Sequence, residues 1–90
     1  MSDVKNPEEL FDFPCHYQFK AVGQAGDEFY AAVIAAIGKL AAVSNDAVKS
    51  RPSGKGNYQS VSVVVTLHNF AQLKGIYAEL RQIPGMKMLL

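Results

Sequence analysis

Alternating apolar and polar side chains predict two long β-strands. Residues 15–22 alternate along their length, with Phe19 on one face and Lys20 on the other. Residues 58–67 alternate more strongly and carry an apolar side chain at every second position from Val61 onward. Because successive side chains of a strand point to opposite faces, each segment is predicted to bury one face.

Two further segments carry apolar residues at helical spacing. After a turn predicted at residues 23–26, Asp27 is a predicted N-cap, because a short acceptor side chain suits that position. Asn69 is predicted to cap a second helix, which ends at Pro84 and Gly85. The apolar stripe of the first helix consists of Phe29, Val33, Ala36, Ile37 and Leu40. The stripe of the second helix consists of Phe70, Leu73, Ile76, Tyr77, Leu80 and Ile83. Each stripe predicts a helix that packs one face against the strands.

Two weaker segments complete the pattern. Residues 47–52 are polar and include a proline, which is typical of an edge strand, and residues 86–90 form a short final strand. The order strand, helix, strand, strand, helix, strand predicts an α+β, ferredoxin-like βαββαβ two-layer sandwich. Its four-stranded antiparallel sheet has the two long strands at the centre and two helices on one face. This single domain spans residues 15–90 and follows a polar N-terminal lead-in at residues 1–14.

This topology divides the side chains between a core and an uncovered sheet face. The predicted core consists of Tyr17, Phe19, Phe29, Val33, Ile37, Leu40, Val61, Val63, Val65, Phe70, Leu73, Ile76, Leu80 and Met88. The uncovered face is predicted to carry Gln18, Lys20, Ser60, Ser62, Val64 and Thr66, with Lys87 and Leu89 as further candidates. We expect function or self-association on that face.

Composition and charge exclude several classes of protein. A chain of 90 residues with 49% hydrophobic and 19% charged residues is one ordinary globular domain. Its net charge of +1 provides no overall field toward nucleic acid or acidic lipid. The single cysteine cannot form an internal disulfide, and the two histidines lack metal-ligand spacing. Because no signal peptide or membrane span is present, we expect a cytoplasmic protein without metal, cofactor or membrane contact.

The segment between the second and third strands holds the candidate binding site. Gly54 and Gly56 permit positive φ and expose backbone N–H groups, which can cradle an anion beside Lys55. The same residues also suit a plain hairpin turn, so both interpretations stay open. The candidate site for an anion or a partner consists of Arg51, Ser53, Lys55, Gly56, Asn57 and Tyr58.

The sequence does not indicate a catalytic site. Cys15 and His16 are adjacent in a strand and point to opposite faces, and His68 has no identified acid to orient it. Acylphosphatase shares the predicted fold and holds phosphate with an arginine in its first loop, whereas residues 23–30 contain two acids and no arginine. RNA-recognition domains stack bases on strand aromatics, and only Tyr58 and His16 are candidates here. We therefore expect no enzymatic activity, and nucleic-acid binding is disfavoured.

Residues 51–62, with the sequence RPSGKGNYQSVS, resemble the central motif of the YbeD-like family of small bacterial proteins of unknown function. Residues 9–14 and 22–25 agree with the same family. One departure is Gly54, where serine is expected, and it removes a hydroxyl that could have served as a ligand. The resemblance implies a ferredoxin-like fold similar to ACT-type regulatory domains, which sense small metabolites in biosynthetic enzymes. It also implies a metabolic-regulatory setting, since members often lie near lipoate-attachment genes.

These observations predict a regulatory, ligand-sensing or adaptor module that acts by binding. The alternative is a protein-interaction module that docks on a metabolic enzyme, with a lipoate-related enzyme as one candidate, without any small ligand. An enzyme that uses Lys55 is the weakest alternative. The expected partners are a second copy of the chain, in a homodimer, and either a metabolic enzyme or a small anionic metabolite. The homodimer is predicted to form through the uncovered face or the C-terminal edge strand.

Overall fold

The computed structural model describes residues 12–90 and has the predicted ferredoxin-like α+β fold. Its strands are β1 (Cys15–Gln24), β2 (Val48–Ser53), β3 (Tyr58–Leu67) and β4 (Met86–Leu89), and its helices are α1 (Asp27–Gly38) and α2 (Phe70–Leu80). The strands form one antiparallel sheet in the order β2-β3-β1-β4, so the two long strands are central, as predicted. Most of the predicted polar lead-in, residues 1–14, lies outside the described residues.

The core lies between the sheet and the two helices. Phe19 of β1 lies opposite Val63 of β3, and both side chains are buried. The prediction that Val63 and Val65 are buried is confirmed. Ile37 of α1 and Ile76 of α2 cover them from the helical side and are fully buried themselves. Each such aliphatic side chain contributes about 1.5–3 kcal/mol to folding when it is removed from water.

The connection from β1 to α1 is shorter than predicted. Strand β1 continues to Gln24, and a Cβ atom at Gly23 would overlap the ring of Phe29, so the strand needs glycine there. The prediction of Asp27 as N-cap is wrong. Gly26 occupies that position with a φ of 114°, a backbone conformation that glycine adopts readily. Asp27 is the first helical residue, where its carboxylate favours the positive end of the helix dipole.

Helix α2 begins as predicted. The side chain of Asn69 accepts a hydrogen bond from the backbone N–H of Gln72 at 2.8 Å. The side chain of Gln72 in turn accepts one from the N–H of His68 at 2.7 Å. The first bond satisfies an N–H group that the start of a helix leaves without a partner, and the second joins the residue before the cap to the first turn. The helix ends at Leu80, earlier than the apolar stripe suggested, and Ile83 is half-buried beyond it.

The predicted core is wrong at Leu40 and Met88. Leu40 is 40% exposed because α1 ends at Gly38, beyond which helical spacing no longer directs a side chain toward the sheet. Its side chain instead lies close to Gly75 of α2. Three hydrophobic residues that the predicted core omitted are buried: Ala21, Ala36 and Leu67.

The error at Met88 comes from a β-bulge. The register between β1 and β4 shifts between Val22 and Gly23, so that Val22 pairs with Met88 and Lys87 is the extra residue. Met88 therefore lies on the uncovered face and is 49% exposed. Leu89, which was predicted on that face, is half-buried against the core instead.

Candidate functional site

The sheet has one face without helices, which we call the open face. Across it, Ser62 of β3 lies between Lys49 of β2 and Lys20 of β1, and the next row joins Arg51, Ser60 and Val22 in the same way. Neighbouring strands are about 4.8 Å apart, so about 10 Å separates the backbones of the two cations in the first row. The open face also carries His16, Gln18, Tyr58, Val64, Thr66, Lys87 and Met88.

Charge on the open face has one sign. Lys20, Lys49, Arg51 and Lys87 are all exposed, and none of β1 to β4 contains an aspartate or glutamate. Within residues 12–90, none of these four cations has a carboxylate within 4.0 Å. Asp46, which precedes β2, lies at the margin of the face, where it lines a depression with Lys49. The overall charge of +1 therefore conceals a basic sheet face.

Three acidic residues of the described region lie in the helices. Asp27 and Glu28 form the first turn of α1, and Glu79 of α2 bonds to Lys39 at 3.0 Å. These groups are on the helical side of the sheet. The charged side chains of the strands are thus all basic, whereas the helical side carries both signs of charge.

The hairpin between β2 and β3 forms a tight turn at one end of this face. Gly54 and Lys55 both have a φ of 61°, and the N–H of Gly56 donates to the carbonyl of Ser53 at 3.2 Å. The N–H of Asn57 donates to the carbonyl of Gly54 at 3.1 Å. With Gly56, whose φ is 87°, three positive φ values follow one another, and such values favour glycine in the connection of a hairpin. Because the N–H groups of Gly56 and Asn57 are used inside the turn, the side chains of the hairpin are the better candidates for recognition of an anion.

Tyr58 connects this hairpin to the far edge of the sheet. The ammonium of Lys87 lies 4.7 Å from the centre of the Tyr58 ring, a cation–π contact. On the hairpin side, a Cβ atom at Gly54 would lie 2.8 Å from Cδ2 of the same ring. Gly54, the departure from the family motif, therefore lets the ring lie close to the turn.

Gln59, which is absent from the predicted site, holds the hairpin against the β1–α1 connection. Its side-chain amide donates to the carbonyl of Gln24 at 3.0 Å and to that of Gly26 at 2.6 Å. The N–H of Ala25 also donates to the carbonyl of Asn57 at 3.2 Å. The sequence contained a signal for this role. Gln59 lies two residues before Val61, so its side chain shares the inward face of β3, where a polar residue needs hydrogen-bond partners.

The sulfur and imidazole side chains are separated, as predicted. Cys15 is half-buried toward the core, whereas Nδ1 of His16 lies 3.2 Å from the hydroxyl of Thr66 on the open face. Within residues 12–90, no three His, Cys, Asp or Glu side chains form a group that could hold a metal ion. The helices of the same region are too short or too polar to span a bilayer.

A pair of tyrosines lies on the helical side of the sheet. The hydroxyls of Tyr17 and Tyr77 are 2.8 Å apart, and the ring of Phe19 contacts both rings edge-on. Burial, with a smaller effect from the hydrogen bond to Tyr17, raises the pKa of Tyr77 above its ordinary value. Because this pair fixes α2 on β1, we assign it a structural role.

Comparison with known proteins confirms the resemblance noted in residues 51–62. A UPF0250 protein of Shewanella loihica is 41% identical over 83 residues, which cover 91% of this chain and 92% of that protein. The UPF0250 protein NMC1112 of Neisseria meningitidis is 36% identical over 92 residues, with all of both chains covered.

Solved structures confirm the fold. Protein HP0495 of Helicobacter pylori superimposes with a TM-score of 0.71 at 15% identity, covering 100% of this chain and 93% of that one. The ACT domain from GTP pyrophosphokinase of Chlorobium tepidum has a TM-score of 0.66 at 13% identity, covering 83% and 94%. At these identities the likeness concerns the fold alone. The family model described as "Protein of unknown function (DUF493)" matches residues 8–90, and this chain belongs to that family.

Proposed function

We propose that this protein is a non-catalytic binding module, an adaptor or regulatory domain, that recognises an anionic group with the open face. The observation that carries the proposal is the set of four exposed cations on strands without a single acidic residue. A cluster of one charge sign attracts oppositely charged partners and excludes partners of like charge.

The cations at the hairpin end have different tasks in this proposal. The guanidinium of Arg51 can hold two oxygens of a carboxylate or phosphate in one plane, whereas Lys49 and Lys55 act as point charges. Ser53 adds a hydroxyl donor at the end of β2. Gly56 and Asn57 maintain the turn through their hydrogen bonds. Tyr58 acts indirectly, because its ring positions the Lys87 ammonium beside the hairpin.

A charge-reversal experiment tests this proposal. Lys49→Glu/Arg51→Glu alters the open face, and Lys74→Glu/Arg81→Glu, on and just after α2, produces the same change of net charge elsewhere. We would titrate fluorescent poly-L-glutamate into each protein at low ionic strength. The proposal predicts that binding is lost in the first variant and retained in the second. Equal loss in both variants would mean that net charge alone matters, and no loss in the first would refute the proposal.

The regulatory and adaptor forms of the proposal differ in the ligand they require. A sensor should gain thermal stability from an amino acid, a nucleotide or an acyl cofactor, by about 2.7 kcal/mol at a ligand concentration of 100 times Kd. An adaptor that docks on a metabolic enzyme should gain stability only with that enzyme. A thermal-shift screen with these three classes of compound therefore separates the two forms.

A further inference from the structure

The open face carries exposed apolar side chains among its cations. The large hydrophobic residues that are most exposed in residues 12–90 are Leu40, Val64, Met88 and Leu90. Val64 and Met88 lie on the open face, with 40% and 49% of each exposed. Val64 pairs with Gln18 and Met88 pairs with Val22, so the two lie four residues apart along β1. Leu90, which follows β4, is 59% exposed, and its N–H donates to the carbonyl of Lys20, between these two positions, at 2.8 Å. Apolar groups concentrated on one surface mark an interaction site more strongly than scattered ones.

The arrangement of these groups suits an elongated partner. Val22 and Met88 are cross-strand neighbours on the β1–β4 side of the face, where Lys20 and Lys87 also lie, and Lys49 and Arg51 lie on the β2 side. Between them, β3 presents the small side chains of Ser60 and Ser62, which form a shallow groove along the middle of the face. At the end of the face away from the β2–β3 hairpin, a depression is lined by Gln18, Asp46, Ala47, Lys49, Ser62 and Val64. An α-helix is about 10 Å wide, which matches the two strand spacings between β2 and β1.

Other anionic partners fit this surface less well. A small anion would satisfy the cations but would leave Val64 and Met88 exposed to water. Single-stranded nucleic acid requires aromatic rings on which neighbouring bases stack. The ring of Tyr58 is already covered by Lys87, and His16 lies eight residues away along the paired strands, about 27 Å.

We infer that the open face docks an acidic amphipathic helix of another protein. Its apolar side chains would cover Val64, Val22 and Met88, while its aspartates and glutamates would face Arg51 and Lys49. This inference rests on the proposed function, since it requires recognition of negative charge, and it adds the apolar half of the contact. A helix is favoured over a strand because the open face presents side chains, whereas strand addition uses the backbone of a sheet edge.

The test compares three probes of equal negative charge. The first is a peptide of about four helical turns with leucine on one face and glutamate on the other. The second has glutamine in place of every leucine, and the third is a single-stranded oligonucleotide. Binding is measured by fluorescence anisotropy, and chemical shifts of the backbone amides locate the contact. The inference predicts that the amphipathic peptide binds at least about tenfold more tightly than the other two.

Two double variants separate this inference from the proposed function. Val64→Ser/Met88→Ser should reduce binding of the amphipathic peptide about tenfold and leave binding of the glutamine peptide unchanged. Lys49→Glu/Arg51→Glu should abolish binding of both peptides. If charge reversal abolishes binding while the serine variant binds normally, the inference is overturned and the proposed function stands. If neither variant changes binding, both are overturned. Tighter binding of the oligonucleotide would also overturn the inference. Because both serine positions are exposed, the variant should fold, and a thermal melt checks this.

Discussion

Replacing Val63 with aspartate tests the register of the central strand β3. Val63 has no exposed surface and lies between Phe19 of β1 and Val48 of β2 in the paired sheet. The change removes about 1.5–3 kcal/mol of apolar burial. Burial of a carboxylate without a partner adds several kcal/mol more. Since a domain of this size has a total stability of about 5–15 kcal/mol, the variant should not fold.

Val64→Asp is the matched control. Val64 is the next residue on the same strand, but it lies on the open face with 40% of its surface exposed. An exposed carboxylate keeps its water, so the expected loss is about 1 kcal/mol or less. The assay is thermal unfolding followed by circular dichroism, together with yield in the soluble fraction. A Val63→Asp protein that melts at the wild-type temperature, or a Val64→Asp protein that is equally damaged, would refute the register.

Three further predictions concern other parts of the molecule. Because the pKa of Tyr77 is raised in the folded state, the unfolded chain loses this proton first as pH rises. The contribution of this group to the free energy of unfolding, present below about pH 10, should therefore be lost as the pH rises above that value. Urea unfolding over the same pH range should show a smaller decrease in the free energy of unfolding for Tyr77→Phe than for the wild type. Lys55 has a φ of 61°, which favours glycine, so Lys55→Gly should stabilise the fold by up to about 1 kcal/mol. Lys55→Ala should show no such gain, and an equal gain from both would indicate a charge effect instead. For the predicted homodimer, we expect β4 (Met86–Leu89) to be the contact, because two open faces would bring like charges together. Sedimentation that shows only monomer at micromolar concentration would contradict the homodimer, and insensitivity to Lys87→Pro would exclude the β4 edge.

Alternation was sufficient to predict which side chains of β1 and β3 face the core. Both strands are long, so one apolar face determines the register over many residues. Strand β4 has four residues, MKML, whose apolar side chains suit either orientation. Its bulge arises from the pairing with Val22 and Gly23 of β1, and the local sequence of β4 does not indicate that pairing. The exposure of Leu40 had a similar cause, because α1 ends at Gly38 while the apolar spacing continues.

The candidate site could be predicted only in part. The sequence placed Lys20, with Lys87 as a candidate, on the uncovered face and Arg51 and Lys55 near the hairpin, but it did not show that Lys49 and Arg51 share that face. That result requires the register between β2 and β3. The role of backbone N–H groups in the hairpin could not be decided before the turn geometry was known. In the structure these groups bond within the turn, so the candidate site moves from the hairpin backbone to the side chains of the open face.

An NMR titration with poly-L-glutamate shows directly whether the open face binds an anionic partner, because it identifies the backbone amides that respond. We expect shifts at Arg51, Ser60 and Ser62 on the open face that saturate together and diminish with added salt. Amides on the helical side, such as that of Lys74, should not move. Shifts confined to α1 and α2, or no saturable shifts at low ionic strength, would contradict the claim that the open face binds anionic partners.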